Sequence, residues 1–186
     1  MIKRYIKLVF ILLVILSFST SCAIISHYGA YYGKVVDAET KEPLEGAAVL
    51  AVYKTEKPGP AGSVSFYLDA QETVTDKNGE FRIPPLTVTT FRVLHGFDPH
   101  PQFIIYKPGY GAYGKNKDVK PVFPYWSLPA NQYVTIELPK LKTREERLWN
   151  YGCYPPVHVP EIKYKNLLRL IEEEAKALGL PTKGEP

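Results

Sequence analysis

Residues 33–49 read GKVVDAETKEPLEGAAV and residues 73–83 read TVTDKNGEFRI, and these two stretches decide the fold. Each combines strand-like runs with a polar interruption, which is the pattern of two strands joined by a turn. In the second stretch, Asn78 and Gly79 predict a tight turn because both residues tolerate a positive φ angle. In the first stretch, Pro43 and Gly46 punctuate a longer polar connection. The two stretches therefore predict β-strands that are joined by turns.

Alternation of apolar and polar residues predicts further strands around this centre. Within residues 47–55, for example, Val49 and Tyr53 face one side of a strand and Leu50 faces the other. Residues 56–62 are rich in Pro and Gly and predict a loop. Seven short strands with regular turns favour a β-sandwich, and the sequence predicts them at residues 32–37, 47–55, 63–75, 80–83, 89–94, 102–107 and 133–138.

Together with the motif YKPGY at residues 106–110 and the run VTIEL at residues 134–138, these stretches resemble the carboxypeptidase regulatory-like domain. The resemblance covers residues 31–139 and implies a transthyretin-like β-sandwich of seven strands. The matching residues have physical roles in such a fold, because glycines permit turns and apolar residues fill the interior. None of them is a catalytic residue, so the resemblance implies an architecture rather than a reaction.

The N-terminus predicts export. A basic start is followed by an apolar run at residues 8–16 and then by small polar residues that lead to Cys22. This order is typical of a secretory signal peptide, here residues 1–21. The apolar run is shorter than the roughly 20 residues that a membrane-spanning helix needs. We therefore expect an exported protein whose mature chain begins at Cys22.

Residues 19–22, STSC, resemble the end of a bacterial lipoprotein signal peptide. The resemblance implies a lipid anchor on Cys22, with acyl chains such as palmitate, followed by a short tether at residues 22–30. More than one chain is expected, because a single acyl chain anchors a protein only marginally. Ala23 follows the cysteine where an acidic residue would favour the inner membrane, so the resemblance implies a location at the cell outer membrane.

Ser19 departs from the lipoprotein pattern, which has a leucine-like residue at this position, and it leaves an alternative open. Ser19 and Ser21 also fit an ordinary secretory cleavage site. Cys22 would then keep its thiol and could form a disulfide with Cys153, the only other cysteine in the sequence, because exported compartments permit disulfides. If Cys22 is acylated instead, Cys153 is an unpaired thiol.

The charge of the chain gives no reason to expect nucleic acid as a partner. The full sequence carries a net charge of +4, but three of its basic residues lie in the signal peptide. The remaining 20 Lys and Arg residues nearly balance 19 Asp and Glu residues. Proteins that bind nucleic acid present a basic stripe or patch instead. The expected partners are the membrane lipid anchor at Cys22 and an envelope protein or glycan.

Beyond residue 139 the sequence pattern becomes typical of helices, and residues 140–186 predict a helical C-terminal extension. Thr143 and Glu146 have the spacing of a capping box that starts a short helix. A second helix is expected to start near Pro160, with an apolar stripe at three- and four-residue steps. The stripe favours a helix that packs on the sandwich. It leaves open a helix that fills a groove of a partner protein.

Two small groups of side chains are candidates for a metal site. His95, Asp98 and His100 are close in sequence and offer donors that zinc accepts. However, the Gly and Pro residues among them mark a turn, and their spacing matches no standard site. His158 and Glu161 fit the zinc pattern His-x-x-Glu of the carboxypeptidases, but the chain is too short to contain that catalytic domain. We expect no metal and no cofactor.

Residues 109–132 are the stronger candidate for a binding site, since a long segment with little regular structure is often functional. They include Phe123 and four further aromatic side chains beside Gly, Lys, Asn and Pro, and these four are the candidate binding residues, namely Tyr110, Tyr113, Tyr125 and Trp126. Aromatic faces next to polar groups can stack on a sugar or contact a partner protein. The alternative is that these side chains close one end of a small core.

The sequence contains no nucleophile elbow, no phosphate loop and no Cys-x-x-Cys motif. The predicted function is therefore that of a non-enzymatic binding or accessory module, a β-sandwich tethered to the cell envelope. One alternative is a structural component of an envelope assembly. Another is a metal-dependent enzyme that uses His95, Asp98 and His100.

Overall fold

The computed structural model describes residues 25–60, 62–90, 92 and 95–182, so the signal peptide and Cys22 lie outside the described residues. The chain is mainly β, which confirms the predicted fold class at this level. The described strands are β1 Ile25–Tyr28, β2 Tyr31–Asp37, β3 Ala48–Gly59, β4 Gly62–Val74, β5 Glu80–Ile83, β6 Leu86–Thr89, β7 Gly96–Phe97, β8 Gln102–Tyr106 and β9 Tyr133–Leu138. The described helices are α1 Arg144–Asn150 and α2 Lys165–Ala177.

The strands form two principal sheets and one small one. In the first principal sheet β2 is central, antiparallel to β5 and parallel to β9. In the second β3 is central, antiparallel to β4 on one side and to β8 and then β7 on the other. Strands β1 and β6 form a separate antiparallel pair. The two central strands, β2 and β3, therefore organise the two principal sheets.

The interior between the two principal sheets is one continuous apolar cluster. Successive side chains of a strand point to opposite faces, so Val49, Ala51 and Tyr53 of β3 all enter this interior. Aromatic rings pack there as well, and the rings of Tyr31 and Phe103 meet edge to face with their centroids 4.8 Å apart. Further strand residues of the cluster are Val35, Phe81, Ile83, Ile105, Val134, Ile136 and Leu138.

The opposite face of β3 carries a second apolar cluster, and helix α2 covers it. Ala48, Leu50 and Val52 point to this side. The apolar stripe of the predicted second helix lies against them, which is the packing on the sheet that the sequence favours. The helical members of this cluster are Leu167, Leu170 and Ile171, with Tyr164 just before the helix. The chain thus has a third layer, and β3 is buried on both faces.

Helix α1 is held by polar contacts as well as by its cap. Thr143 and Glu146 form the predicted capping box, with reciprocal hydrogen bonds between side chain and backbone. Asn150, at the end of α1, is buried; its amide donates to the Tyr110 carbonyl oxygen and its Oδ1 accepts from the Ala112 N–H, both at 2.9 Å. Helix α1 is therefore fixed to the chain that follows β8.

Three local predictions differ from the structure. Residues 56–62 were expected to form a loop, but β3 extends to Gly59 and β4 starts at Gly62, so the hairpin pairs to its tip. The strand expected at residues 89–94 is displaced, because the described strand there, β6, ends at Thr89; residues 91, 93 and 94 lie outside the described residues. Within the predicted tether, residues 25–28 form β1, because Tyr28 is buried in the core.

Candidate functional site

The four predicted aromatic residues divide between the interior and the surface. Tyr113 is fully buried in the cluster between the sheets, so it cannot belong to a binding surface and that part of the prediction is wrong. Tyr110 is half-buried, and its hydroxyl donates to Asp37 Oδ2 at 3.1 Å. Both residues follow the alternative that the sequence allowed, in which they help to close the core.

Tyr125 is the exposed member of the four, with 75% of its surface accessible. Its ring lies 5.3 Å from the ring of His100, centroid to centroid. Trp126, the next residue, is half-buried and meets the Tyr113 ring edge to face at 5.2 Å. Trp126 therefore anchors the turn to the core while Tyr125 projects from it.

The backbone of this turn is held in an uncommon conformation. Tyr125 and Trp126 have φ angles of 58° and 54°, in the left-handed region that bulky residues rarely adopt. Such a residue costs on the order of 1 kcal/mol or more, and strained residues of this kind cluster at binding and active sites. Hydrogen bonds hold the turn, from Trp126 N–H to the Phe123 carbonyl and from Ser127 N–H to the Pro124 carbonyl. These hydrogen bonds hold the backbone from which the exposed Tyr125 side chain projects.

Asp98 and His100 lie side by side, with Asp98 Oδ1 3.7 Å from His100 Nδ1, but His95 does not join them. The Asp98 carboxylate accepts from the His100 N–H at 2.9 Å and lies 3.3 Å from Lys54 Nζ. The His95 ring instead lies beside Thr55 Oγ1 and against Phe66. Within the described residues, no group of three or more His, Cys, Asp or Glu side chains is arranged to hold a metal ion.

His158 and Glu161 line a shallow surface cleft beside the start of α2, together with Tyr154 and Tyr164. Two prolines, Pro155 and Pro160, also line the cleft. Both His158 and Glu161 are exposed, in a turn before the helix.

Cys153 is buried beneath α2, with 5% of its surface exposed, and it forms no disulfide with any residue that the structure describes. Burial raises the pKa of this thiol to about 11, which keeps it protonated near neutral pH. Its predicted disulfide partner, Cys22, lies outside the described residues, as do the signal peptide and the lipid anchor. None of the helices in the described part of the chain combines the length and the apolar character that crossing a membrane requires.

A groove of about 710 Å³, which sequence reasoning missed, lies between α1 and the loop at residues 116–118. Trp149 forms part of its wall and is 61% exposed. The sequence treats Trp149 only as the end of a short helix. The available signal was the (i, i+4) spacing of Glu145 and Trp149, which places both on one face of α1. The groove forms only because residues 116–118 lie close to α1 in the folded chain, and the sequence does not indicate this contact.

No family model matches the chain, and no curated protein or solved structure matches it either. The resemblance to the carboxypeptidase regulatory-like domain therefore stays a prediction from the sequence, foremost from residues 33–49 and 73–83.

Proposed function

We propose that this protein is a lipid-anchored component of the cell envelope whose β-sandwich is a non-enzymatic binding or accessory module. The proposed anchor is an acylated Cys22 that follows a signal peptide at residues 1–21, at the outer membrane. The order of basic, apolar and small residues before Cys22 supports export. The near balance of charge in the mature chain supports an envelope partner rather than nucleic acid.

The proposed module is a transthyretin-like sandwich of the carboxypeptidase regulatory-like type. Six of the seven strands expected from the sequence coincide with β2, β3, β4, β5, β8 and β9. Three of these belong to each principal sheet, and both sheets contribute to one interior cluster. This arrangement supports the proposed architecture, in which turns and loops at the ends of the sheets carry function.

The observation that carries the binding role is the exposed ring of Tyr125 on a strained turn. A large aromatic side chain that is 75% exposed loses the benefit of burial, and its left-handed backbone adds a further cost. The neighbouring His100 ring extends the aromatic surface and adds a polar group. Together they offer a flat apolar face with a polar edge, which suits a partner protein or a glycan.

The alternative role, a structural component that binds an envelope assembly through helix α2, has less support. The apolar face of α2 is occupied by β3 and β8 of the same chain, so that face is not available to a partner's groove. The enzyme alternative rests on His95, Asp98 and His100, of which Asp98 and His100 lie side by side while His95 contacts Thr55 and Phe66 instead. The Tyr125 surface is therefore the better supported candidate.

The test is co-purification from the detergent-solubilised envelope with the full chain as bait. We compare the wild type with Tyr125→Ala and with Tyr133→Ala, a matched control because Tyr133 is 55% exposed on β9. We expect Tyr125→Ala to lose envelope proteins or glycans that Tyr133→Ala retains. Equal recovery by all three proteins would refute the assignment of the Tyr125 surface.

The anchor is tested separately by intact mass and detergent partitioning of the wild type and Cys22→Ser. We expect the wild type to carry the mass of acyl chains and to enter the detergent phase, and Cys22→Ser to remain in the aqueous phase. A wild type without added mass in the aqueous phase would contradict lipidation and leave the binding role to be judged by its own experiment.

A further inference from the structure

The starting point is the exposure of Trp149, which lies on α1 and keeps 61% of its surface accessible. Trp is usually highly buried, so a Trp side chain that forms the wall of a groove is an informative exception. Lys115 Nζ lies 5.5 Å from the centre of the Trp149 ring and also donates to the Tyr151 carbonyl oxygen at 2.9 Å. This cation–π contact holds the indole in place.

The groove beside Trp149 has a rigid frame. Its floor, residues 139–141, is hydrogen-bonded to residues 109–111: the Gly111 N–H donates to the Pro139 carbonyl at 2.8 Å and the Leu141 N–H to the Gly109 carbonyl at 2.9 Å. The far wall is fixed by Asn116, which is buried and accepts from the Asp118 N–H at 2.9 Å. A ligand would therefore meet a preformed site, which lowers the entropic cost of binding.

The polar groups around the groove are of both signs and cancel. Lys117 and Lys140 line it together with Asp118, Glu145 and Glu146. Lys115 is not part of the lining but flanks the groove through its contact with the Trp149 ring. The Glu146 carboxylate is already used, because it accepts from the N–H groups of Lys142 and Thr143. Three positive and three negative charges attract neither an anion nor a cation over long range. The remaining lysines and carboxylates can donate to and accept from a neutral ligand's hydroxyl groups.

We propose that this groove is a binding site for a neutral saccharide, with Trp149 as the stacking surface. A sugar ring combines an apolar C–H face with a rim of hydroxyl groups, and the groove offers the matching pair of an indole face and mixed donors and acceptors. The apolar floor formed by Pro139 and Leu141 continues the indole surface. The site shares no residue with the Tyr125 surface and does not depend on the lipid anchor.

The test uses the two tryptophans of the chain, Trp126 and Trp149, as local reporters. Each gives one indole N–H cross peak in a ¹⁵N–¹H spectrum, and Trp149→Phe assigns them by deletion. The full chain is kept in a detergent without a sugar headgroup and titrated with maltotriose, cellotriose and triacetylchitotriose. We expect one of these neutral probes to shift the Trp149 cross peak saturably and to leave that of Trp126 in place.

Variants then locate the site. Binding followed by backbone amide shifts should weaken at least about tenfold in Trp149→Ala, as expected when an aromatic anchor is removed. Lys117→Ala should weaken binding less, and Tyr133→Ala, which removes an exposed aromatic side chain on β9 outside the groove, should leave binding unchanged. The unperturbed amide peaks of each variant establish that it is folded.

Two outcomes would overturn the proposal. One is the absence of any saturable shift of the Trp149 peak with all three neutral probes at tens of millimolar, a range that covers weak glycan binding of about 1 mM. The other is tighter binding of the anionic probe trigalacturonate than of every neutral probe, since the balanced charges exclude that preference.

Discussion

The carboxylate of Glu72, on strand β4, accepts a hydrogen bond of 2.8 Å from the backbone N–H of Leu167 at the start of helix α2. Its other oxygen accepts from the N–H and the side-chain amide of Asn166, each at 2.9 Å. The first N–H groups of a helix have no partner within the helix. Tyr164 precedes α2, and Tyr is not among the residues that cap helix N-termini. A strand therefore caps a helix from 95 residues away.

Glu72→Ala should destabilise the protein by about 1–2 kcal/mol, because it removes a helix cap and a negative charge at the positive end of the helix. The loss should exceed that of Glu45→Ala, a control that removes an exposed carboxylate outside the helices. Denaturant unfolding of both variants measures the difference. Equal stability of the two variants would show that the Glu72 contacts contribute nothing.

The second prediction concerns Arg147 on α1 and Glu174 on α2, which form a two-pronged ion pair with both hydrogen bonds at 2.8 Å. Glu174 is only 2% exposed, so Arg147→Ala leaves a buried carboxylate without its partner. Loss of one partner from a buried pair costs about 3–5 kcal/mol. Because the Arg147 side chain is partly exposed, we expect the lower end of this range, measured as the free energy of unfolding.

The control for this pair is Lys142, whose ion pair with Glu39 lies on the surface. Exposed pairs are screened by solvent and contribute little to stability, so Lys142→Ala should be nearly neutral. Replacing both Arg147 and Glu174 by Met should lower the free energy of unfolding less than Arg147→Ala alone, because no buried charge is left unpaired. A double variant as unstable as Arg147→Ala would mean that lost packing, and not charge, sets the cost.

The third prediction is a loss of stability in acid that depends on Asp37. Its carboxylate accepts from the N–H groups of Thr40 and Glu39 at 3.0 and 2.7 Å and from the Tyr110 hydroxyl. These hydrogen bonds, that of Thr40 first, hold the pKa of Asp37 below its ordinary value of 3.8. A carboxyl whose pKa falls on folding stabilises the fold above its unfolded pKa, and the gain is lost as the pH drops through the folded pKa.

Asp37→Asn removes this titration while keeping an acceptor oxygen. Urea unfolding between pH 6 and pH 2 should therefore show a smaller decline for Asp37→Asn than for the wild type, with the curves converging below about pH 4, near the ordinary Asp pKa. Parallel curves over the whole range would show that Asp37 is not responsible for any of the acid sensitivity.

The sheets were largely predictable from the sequence because strand periodicity is a local property. Alternation in residues 47–55 places Val49 and Tyr53 on one face and Leu50 on the other, and the structure buries both faces. Strand β1 was missed because it has only four residues and is formed by long-range pairing with β6, which the local sequence does not indicate. The tight hairpin at Gly59 and Gly62 was missed because Pro and Gly there suggested a loop.

The site was less predictable, since exposure depends on tertiary contacts. Tyr113 and Tyr125 occur in the same segment with similar neighbours, yet one is fully buried and the other is 75% exposed. The Trp149 groove requires three segments, residues 116–118, residues 139–141 and α1, to meet in space. Single-sequence patterns identify aromatic residues but do not state which of them face solvent.

The fourth prediction links Cys153 to the state of Cys22. Burial and a pKa of about 11 should make the Cys153 thiol unreactive toward dithiobisnitrobenzoate at pH 8 in the folded protein, because the thiolate is the reactive form. Unfolding in guanidinium without reductant should expose one thiol if Cys22 is acylated. It should expose none if Cys22 and Cys153 form a disulfide, and two if Cys22 is neither acylated nor paired.

Cys153→Ala separates these states further, because it removes the only described thiol and keeps a small apolar side chain under α2. With an acylated Cys22 the unfolded variant should show no reactive thiol and should still enter the detergent phase. A thiol that appears in Cys153→Ala but not in the wild type would identify the disulfide. Rapid labelling of the folded wild type that Cys153→Ala abolishes would contradict the buried placement of Cys153, because a thiol enclosed by α2 reacts only when that packing opens.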